Sequence, residues 1–162
     1  MVGLKSGKQE ISNLAAYLNR QIKRGESVTF IGKHYVFKGN PGTGKTTVAR
    51  IMADVFRTLG ILSRGQLVEA DRSQLVAGYA GQTAIKTNQL IDSAIGGILF
   101  IDEAYTLKNG ENDSFGGEAI DTLLKRLEDD RGKFICIVAG YTDQMHTFID
   151  SNPGLKSRFT QN

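Results

Sequence analysis

The stretch 39-GNPGTGKTT-47 places three glycines and one proline around a single lysine, one residue after the short apolar run 35-YVF-37. Glycine loses much conformational freedom on folding and proline has no backbone donor, so a loop of this composition is costly to order. It matches the pattern G-x-x-x-x-G-K-[ST] without a mismatch. Such a loop can turn its backbone N–H groups inward to form a concave nest for phosphate oxygens. The stretch is therefore interpreted as an anion-binding loop.

The residue types in and after this loop suit the handling of a nucleotide. Lys45 would reach the β- and γ-phosphates, and the Thr46 hydroxyl would ligate Mg²⁺. Asp102 ends the apolar run 98-ILFID-102 and is suited to orient the same metal ion, and Glu103 could polarise an attacking water as a general base. The alternatives are a chance glycine turn and a pair of solvated acids. Finding both motifs at strand ends favours the nucleotide site.

The remaining pattern alternates between helical and strand-like segments. Apolar residues at helical spacing predict helices over about residues 8–25, from 45 to 59 with a stop at 60, over about 83–94, and around 120–127. Strands are predicted at 34–39, 66–70, 98–102 and 133–140, with loops at 77–82 and 106–117. This alternation predicts an α/β fold, with one domain over residues 1–162 and a parallel sheet covered by helices.

Composition narrows the class of protein. Twenty basic and seventeen acidic residues give a net charge of +3, which is too mild to indicate a nucleic-acid partner. The single cysteine, Cys136, is expected to be a buried core residue in a reducing cytoplasm. His34 and His146 are expected at a strand edge and on a surface helix, rather than in a zinc site. No run reaches the roughly 18 apolar residues of a membrane span, so a cytoplasmic protein without a membrane partner is expected.

Four segments together carry a family resemblance: 39-GNPGTGKTTVAR-50, 75-LVAGYAGQTAIKT-87, 98-ILFIDEAYTL-107 and 152-NPGLKSR-158. In this order they resemble the AAA+ ATPases, and in particular the sporulation stage V protein K group, which includes the red-type rubisco activases. The resemblance implies the three-layer sandwich of the P-loop NTPases, here as the AAA+ large subdomain.

The resemblance also implies roles for individual residues. Mg²⁺ would be held by Thr46 and Asp102, and water would be activated by Glu103. A weaker match places Val2 and Gly3 against the adenine. Phosphate binding falls to Pro41, Gly42, Thr43, Gly44, Lys45, Thr46 and Thr47.

Three further positions match family features outside the phosphate loop. Tyr79 matches the aromatic residue of the loop that lines the central pore of a hexamer, although a surface-packed turn aromatic is the simpler alternative. Arg158 matches the arginine finger that reaches a neighbouring subunit's site, although it could also be an exposed arginine after a helix. Thr142 is preferred over Tyr141 as the sensor residue. The loop 106–117 is either a second pore-lining loop or a plain connector.

The family continues beyond the arginine finger with another core strand and a helical lid carrying a second sensor arginine. Both are expected to be missing before the chain ends at Asn162. Three functions then compete. The leading one is an ATP-hydrolysing, Mg²⁺-dependent motor subunit that remodels a protein substrate. The others are a module that holds ATP or ADP without turnover and a DNA-handling ATPase, which would want a clustered basic face.

Overall fold

A computed structural model describes residues 34–39, 44–79, 81–108 and 112–161, together with Ala16. These residues form five strands: β1 (His34–Lys38), β2 (Leu67–Ala70), β3 (Ile98–Asp102), β4 (Ile135–Gly140) and β5 (Phe159–Gln161). The strands make one sheet in the order β2-β3-β4-β1-β5, in which every pairing is parallel. The helices are α1 (Lys45–Thr58), α2 (Arg72–Leu75), α3 (Thr83–Ala94), a 3-10 helix (Ala104–Leu107), α4 (Ser114–Asp129), α5 (Thr142–Asp150) and α6 (Pro153–Arg158).

The central strands are buried on both faces, which explains why their sequences are continuously apolar. Successive side chains of a strand point to opposite faces. Ile98 and Phe100 of β3 pack with the apolar side of α1, whereas Leu99 and Ile101 pack with residues of α3, α4, α5 and α6. The result is a layer of helix, a layer of sheet and a second layer of helices. The predicted three-layer α/β fold is confirmed.

The long helices follow the predicted apolar spacing closely. α3 has the predicted bounds, and α1 ends at Thr58, just before the predicted stop. Five residues of α1 are buried against the sheet: Val48, Ala49, Met52, Ala53 and Phe56. Cys136 is fully buried in β4, and burial raises the pKa of its thiol, as expected of a core residue. The predicted helix over residues 8–25 lies outside the described residues, apart from Ala16.

Two helices begin at caps that the sequence analysis missed. α2 is capped by Asp71, whose carboxylate accepts the Ser73 N–H, while the Gln74 side chain accepts the Asp71 N–H. This reciprocal pair satisfies donors that the first turn of a helix leaves free. α4 starts at Ser114, inside the segment predicted as a loop, because the Asp113 carboxylate accepts the N–H of Gly116.

Two expectations about the edge of the sheet are wrong. A core strand does follow Arg158: Phe159 begins β5, which pairs with β1. His34 is not at a strand edge, because β1 lies between β4 and β5 and the imidazole is 2% exposed. Its Nδ1 accepts the Cys136 N–H at 2.9 Å, and its ring lies 5.9 Å from that of Phe159. A three-residue strand with one buried apolar residue carries too short a pattern to be predicted from sequence.

Among the described residues, no helix is long and apolar enough to cross a lipid bilayer.

Candidate nucleotide site

The carboxyl ends of three strands meet at one edge of the sheet, which we call the carboxyl edge. Lys38 of β1 lies opposite Gly140 of β4, and Asp102 of β3 lies opposite Ala139 of the same strand. The backbone N–H of Gly39 also donates to the Gly140 carbonyl at 3.0 Å. With neighbouring strands about 4.8 Å apart, the start of the glycine loop and Asp102 are separated by about 10 Å across β4. The loop and the acidic pair are therefore brought to one place.

A hydrogen bond joins the two described ends of the glycine loop. Gly44 caps α1 in the left-handed conformation, with φ 83° and ψ 21°, which favours glycine over residues with a side chain. Lys45 Nζ donates to the Gly39 carbonyl at 3.0 Å. The amino end of α1, with its positive dipole, follows directly. Pro41, Gly42 and Thr43 lie outside the described residues, as do Val2 and Gly3.

The acidic pair occupies an unusual turn. Asp102 ends β3, and its Oδ1 accepts the Glu103 N–H at 3.0 Å, which fixes the orientation of the Asp102 carboxylate. Glu103 has a φ of 49° and is the only non-glycine residue with positive φ among those described. A left-handed conformation of this kind costs a residue with a side chain about 1–2 kcal/mol. Both adjacent carboxylates are exposed to solvent at the end of the strand.

The donors at the carboxyl edge fit Mg²⁺ better than a metal held by protein alone. Among the described residues, no group of three or more His, Cys, Asp or Glu side chains could hold a metal ion. Mg²⁺ usually keeps several waters and is bound through one or two carboxylates plus substrate phosphates. One exposed carboxylate, Asp102, and the Thr46 hydroxyl in the first turn of α1 make up such a partial donor set.

The junction of β4 and α5 completes this edge. Tyr141 caps α5, and Thr142 is its first residue, exposed to solvent. The ring of Tyr141 lies 6.5 Å from that of Tyr105, in the 3-10 helix that follows Glu103. Burial raises the pKa of the Tyr105 hydroxyl, and the nearby Glu103 carboxylate adds to the shift, so this hydroxyl stays a neutral donor. The contact between these two rings therefore places the predicted sensor segment next to the acidic turn.

Tyr79 lies in the loop between α2 and α3. Its side chain is 76% exposed, and with Ile85 it is one of two large apolar side chains that stay exposed in the described residues. Burial of such a ring would be favourable, so an exposed one is suited to contact another molecule. The alternative of a tyrosine packed on the surface is not what the structure shows.

Arg158 lies near the amino ends of the strands, opposite the carboxyl edge. It directly precedes Phe159, which pairs with His34 at the amino end of β1. Its Nη1 donates to Ser157 Oγ at 3.1 Å, and its Nη2 lies 3.4 Å from Glu128 Oε2. At a rise of about 3.3 Å per residue, His34 and Lys38 are about 13 Å apart along β1. The Arg158 guanidinium and the glycine loop of the same chain are thus at opposite ends of one strand.

The sequence analysis missed the polar residues that support these elements. Arg72 forms an ion pair with Asp113 at 2.7 Å, and Tyr105 lies beside the acidic turn. The pattern 71-DRSQ-74, with a cap residue three positions before a glutamine, was a sequence signal for α2. The contacts of Arg72 with residues more than thirty positions away leave no such local signal.

Comparison with known proteins agrees with this geometry. Residues 35–162 match the model of the family described as ATPase family associated with various cellular activities (AAA). The chain is 50% identical to stage V sporulation protein K of Bacillus subtilis over 98% of its own length and 50% of that protein.

Two further relatives belong to secretion systems. Identity is 46% to the ESX-1 secretion system protein EccA1 of Mycolicibacterium smegmatis, over 98% of the chain and 29% of that protein. It is 44% to the ESX-3 secretion system protein EccA3 of Mycobacterium tuberculosis, over 99% of the chain and 26% of that protein. The chain thus spans half or less of the length of these relatives. The predicted resemblance is confirmed, and the chain belongs to the AAA family of ATPases.

Proposed function

We propose that the protein binds ATP with Mg²⁺ and hydrolyses it as a motor subunit that remodels a polypeptide substrate. In the proposed reaction, a water oxygen attacks the γ-phosphorus, the bond from that phosphorus to the bridging oxygen breaks, and ADP and inorganic phosphate leave. The observation that carries the proposal is the meeting of the glycine loop, the β4–α5 junction and the acidic turn at the carboxyl edge. Membership of the AAA family supports ATP-driven activity in general.

Phosphate binding is assigned to the residues from Pro41 through Thr47. Backbone N–H groups of the loop and the amino end of α1 would face the phosphate oxygens, which favours negative charge there. Lys45 would exchange its bond with the Gly39 carbonyl for the β- and γ-phosphates. Val2 and Gly3 are proposed to lie against the adenine.

The metal and the water are assigned to different side chains. Thr46 and Asp102 would hold Mg²⁺, which when bound neutralises charge on the phosphate oxygens. The Asp102 carboxylate is already oriented by its bond to the Glu103 N–H. Glu103 would accept a proton from the attacking water, and its left-handed backbone supports a specific direction for that carboxylate. Thr142, at the same edge, is proposed to contact the γ-phosphate or the water.

Arg158 is proposed to complete the site of a neighbouring subunit. Its place beyond the amino end of β1 supports action on another chain, because its own loop begins at the far end of that strand. A guanidinium there would stabilise charge that develops on the transferring phosphoryl group. This role requires an oligomer, and we propose a homohexamer.

Tyr79 is proposed to grip the substrate. An aromatic ring that is 76% exposed on a glycine-bearing loop can hold many different polypeptide segments through apolar contact. The net charge of +3 over the whole chain offers little to attract nucleic acid, which supports a protein substrate. The relatives named for sporulation and for secretion belong to different processes, and the substrate class proposed here is a polypeptide.

Calorimetric titration with ATP and ADP, with and without Mg²⁺, tests the nucleotide site. Magnesium-dependent binding is expected, and Lys45→Ala should abolish it. Lys133→Ala is a matched control, because this exposed lysine lies just before the amino end of β4. Absence of binding by the unmodified protein would overturn the proposal.

Turnover and substrate class are tested on the same protein. Phosphate release is expected with bound ATP, whereas binding without release would support a module that only holds nucleotide. Salt-sensitive binding of DNA would support the DNA-handling alternative instead.

A further inference from the structure

One arginine joins two segments that the proposed function uses separately. Arg72 is the first residue of α2, and its Nη1 donates to the carbonyls of Thr106 at 3.0 Å and Leu107 at 2.6 Å. The same nitrogen donates to Asp113 Oδ2 at 2.7 Å. The Asp113 side chain is 12% exposed and the Arg72 side chain is 31% exposed, so this ion pair is partly withdrawn from water. Such a pair is screened less by salt than an exposed one.

On one side, these bonds lead to the acidic turn. Thr106 belongs to the 3-10 helix that begins directly after Glu103. Both its N–H, at 2.9 Å, and its hydroxyl, at 2.7 Å, donate to the Glu103 carbonyl. A movement of the Glu103 backbone would therefore move the carbonyl that Arg72 holds.

On the other side, the bonds lead to the loop of Tyr79. α2 ends at Leu75, whose carbonyl accepts the buried Thr87 hydroxyl of α3 at 2.8 Å. The Ala77 N–H donates to Thr83 Oγ1 at 3.1 Å, which closes the base of the loop around Tyr79. The loop is thus held at its base by α2 and α3, while its aromatic tip remains exposed.

α4 reaches the same loop by a second route. Its cap, Asp113, is the Arg72 partner, and Glu118, one turn further along, accepts the Ala84 N–H at the start of α3. The chain segments before and after Tyr79 are therefore both bonded to the first turns of α4. The two contacts share one rigid element, which favours their moving together.

We propose that Arg72 is a positioning residue that couples the state of the nucleotide site to the position of Tyr79. The inference rests on the proposed function, since it requires nucleotide at the carboxyl edge. The Arg72 guanidinium touches neither nucleotide nor substrate in this scheme. It transmits displacement of the Glu103–Thr106 turn to α2, and α2 transmits it to the loop. By thermodynamic linkage, nucleotide at the carboxyl edge would alter the affinity of the Tyr79 loop for substrate, and substrate would alter the affinity for nucleotide by the same factor. Couplings of this kind are commonly about 5- to 150-fold.

The chain offers a direct probe of this coupling, because it contains no tryptophan. Tyr79→Trp places a single indole at the exposed tip. Addition of ATP and Mg²⁺ to this variant is expected to change its emission, and Arg72→Gln in the same background is expected to remove most of that change. Nucleotide affinity, measured by calorimetry on the same proteins, should remain.

Two further variants keep the test decisive. Arg50→Gln is the matched control: Arg50 also pairs with a carboxylate, Glu69 of β2, but this pair is exposed and does not touch the 3-10 helix or α4. It should leave the emission change intact. Asp113→Asn removes the charge that holds Arg72, while asparagine keeps the capping role. It should reduce the emission change and serves in place of Arg72→Gln if that variant does not fold.

The outcomes separate the two proposals. If the protein binds no nucleotide, the proposed function fails and the coupling fails with it. If nucleotide binds but emission of the indole does not change, the coupling is wrong and the nucleotide site stands. If nucleotide binds and the emission change survives both Arg72→Gln and Asp113→Asn, Arg72 does not position the loop.

Discussion

Phe159 lies directly opposite His34 in the pairing of β5 with β1, and this register fixes Arg158 just beyond the amino end of the sheet. From there its guanidinium cannot serve the glycine loop at the carboxyl end of the same strand. We therefore predict that Arg158→Ala abolishes hydrolysis and leaves nucleotide binding intact. The expected loss is on the order of 10³-fold or more, by analogy with the arginine fingers of known phosphoryl-transfer enzymes.

A mixing experiment distinguishes action on a neighbour from action within one chain. Arg158→Ala keeps its acidic turn and Glu103→Gln keeps its arginine, and neither protein alone should hydrolyse ATP. Mixed oligomers should regain part of the activity, measured as phosphate release. Failure to recover any activity from co-assembled variants would contradict the role in trans.

The left-handed backbone of Glu103 predicts a conflict between stability and turnover. Glu103→Gly should stop hydrolysis and raise the free energy of unfolding relative to Glu103→Gln by about 1 kcal/mol, because glycine adopts positive φ without strain. Urea denaturation of both variants, with phosphate release measured in parallel, checks this. A glycine variant less stable than the glutamine variant would argue against strain at this turn.

The buried imidazole of His34 makes the stability of the fold depend on pH. Burial lowers its pKa to about 4, and the charges of Arg131 and Arg158 contribute, whereas the unfolded value is 6.5. Between these two pH values the unfolded chain binds a proton that the folded chain does not, so stability falls as the pH falls through this window. From about pH 7.5 to about pH 5 the expected loss is about 2 kcal/mol.

The His34 contribution can be isolated with His34→Gln, which keeps an acceptor for the Cys136 N–H but does not titrate. Its urea midpoint should vary less between the two pH values than that of the unmodified protein. An equal pH dependence in both proteins would assign the effect to other groups.

Tyr79 and Ile85 provide a matched pair for testing substrate contact, because both are large, apolar and exposed. Tyr79→Ala should abolish the stimulation of ATP hydrolysis by an unfolded polypeptide such as casein, while hydrolysis without polypeptide persists. Ile85→Ala, on α3 rather than in the loop, should retain the stimulation. Equal loss in both variants would indicate a general apolar surface instead of a specific grip.

The junction held by Arg72 predicts a strict requirement for glycine at position 116. A Cβ atom there would come within 2.0 Å of the Leu107 carbonyl oxygen. Gly116→Ala must therefore separate α4 from the 3-10 helix, at an expected loss of about 1–3 kcal/mol in the free energy of unfolding. Gly117→Ala is the control, since a Cβ atom at Gly117 meets no atom within 4 Å.

Strong local periodicity made much of the fold predictable. The apolar spacing of α1 and the unbroken run of β3 follow directly from burial on one helix face and on both strand faces. The glycine loop and the acidic pair were recognisable because each sits at a strand end, where the ligands of α/β proteins gather.

The features that the sequence did not predict depend on contacts between distant parts of the chain. Nothing around His34 indicates that a strand formed by residues 159–161 will cover it, because strand pairing is not a local property. Likewise, the role of Arg72 as a bridge emerges only when the 3-10 helix and Asp113 are brought to it. Polar links of this kind have no periodicity, and the pattern of apolar residues does not reveal them.

The length of β1 limits where residues can be inserted into or deleted from the chain. The strand has five residues, with the glycine loop after one end and the register that places Arg158 at the other. Inserting or deleting one residue would change their separation by about 3.3 Å and turn every later side chain to the opposite face. A substitution in β1 leaves this spacing unchanged, whereas an indel would misalign both ends at once, so the length of this strand is a fixed dimension of the molecule.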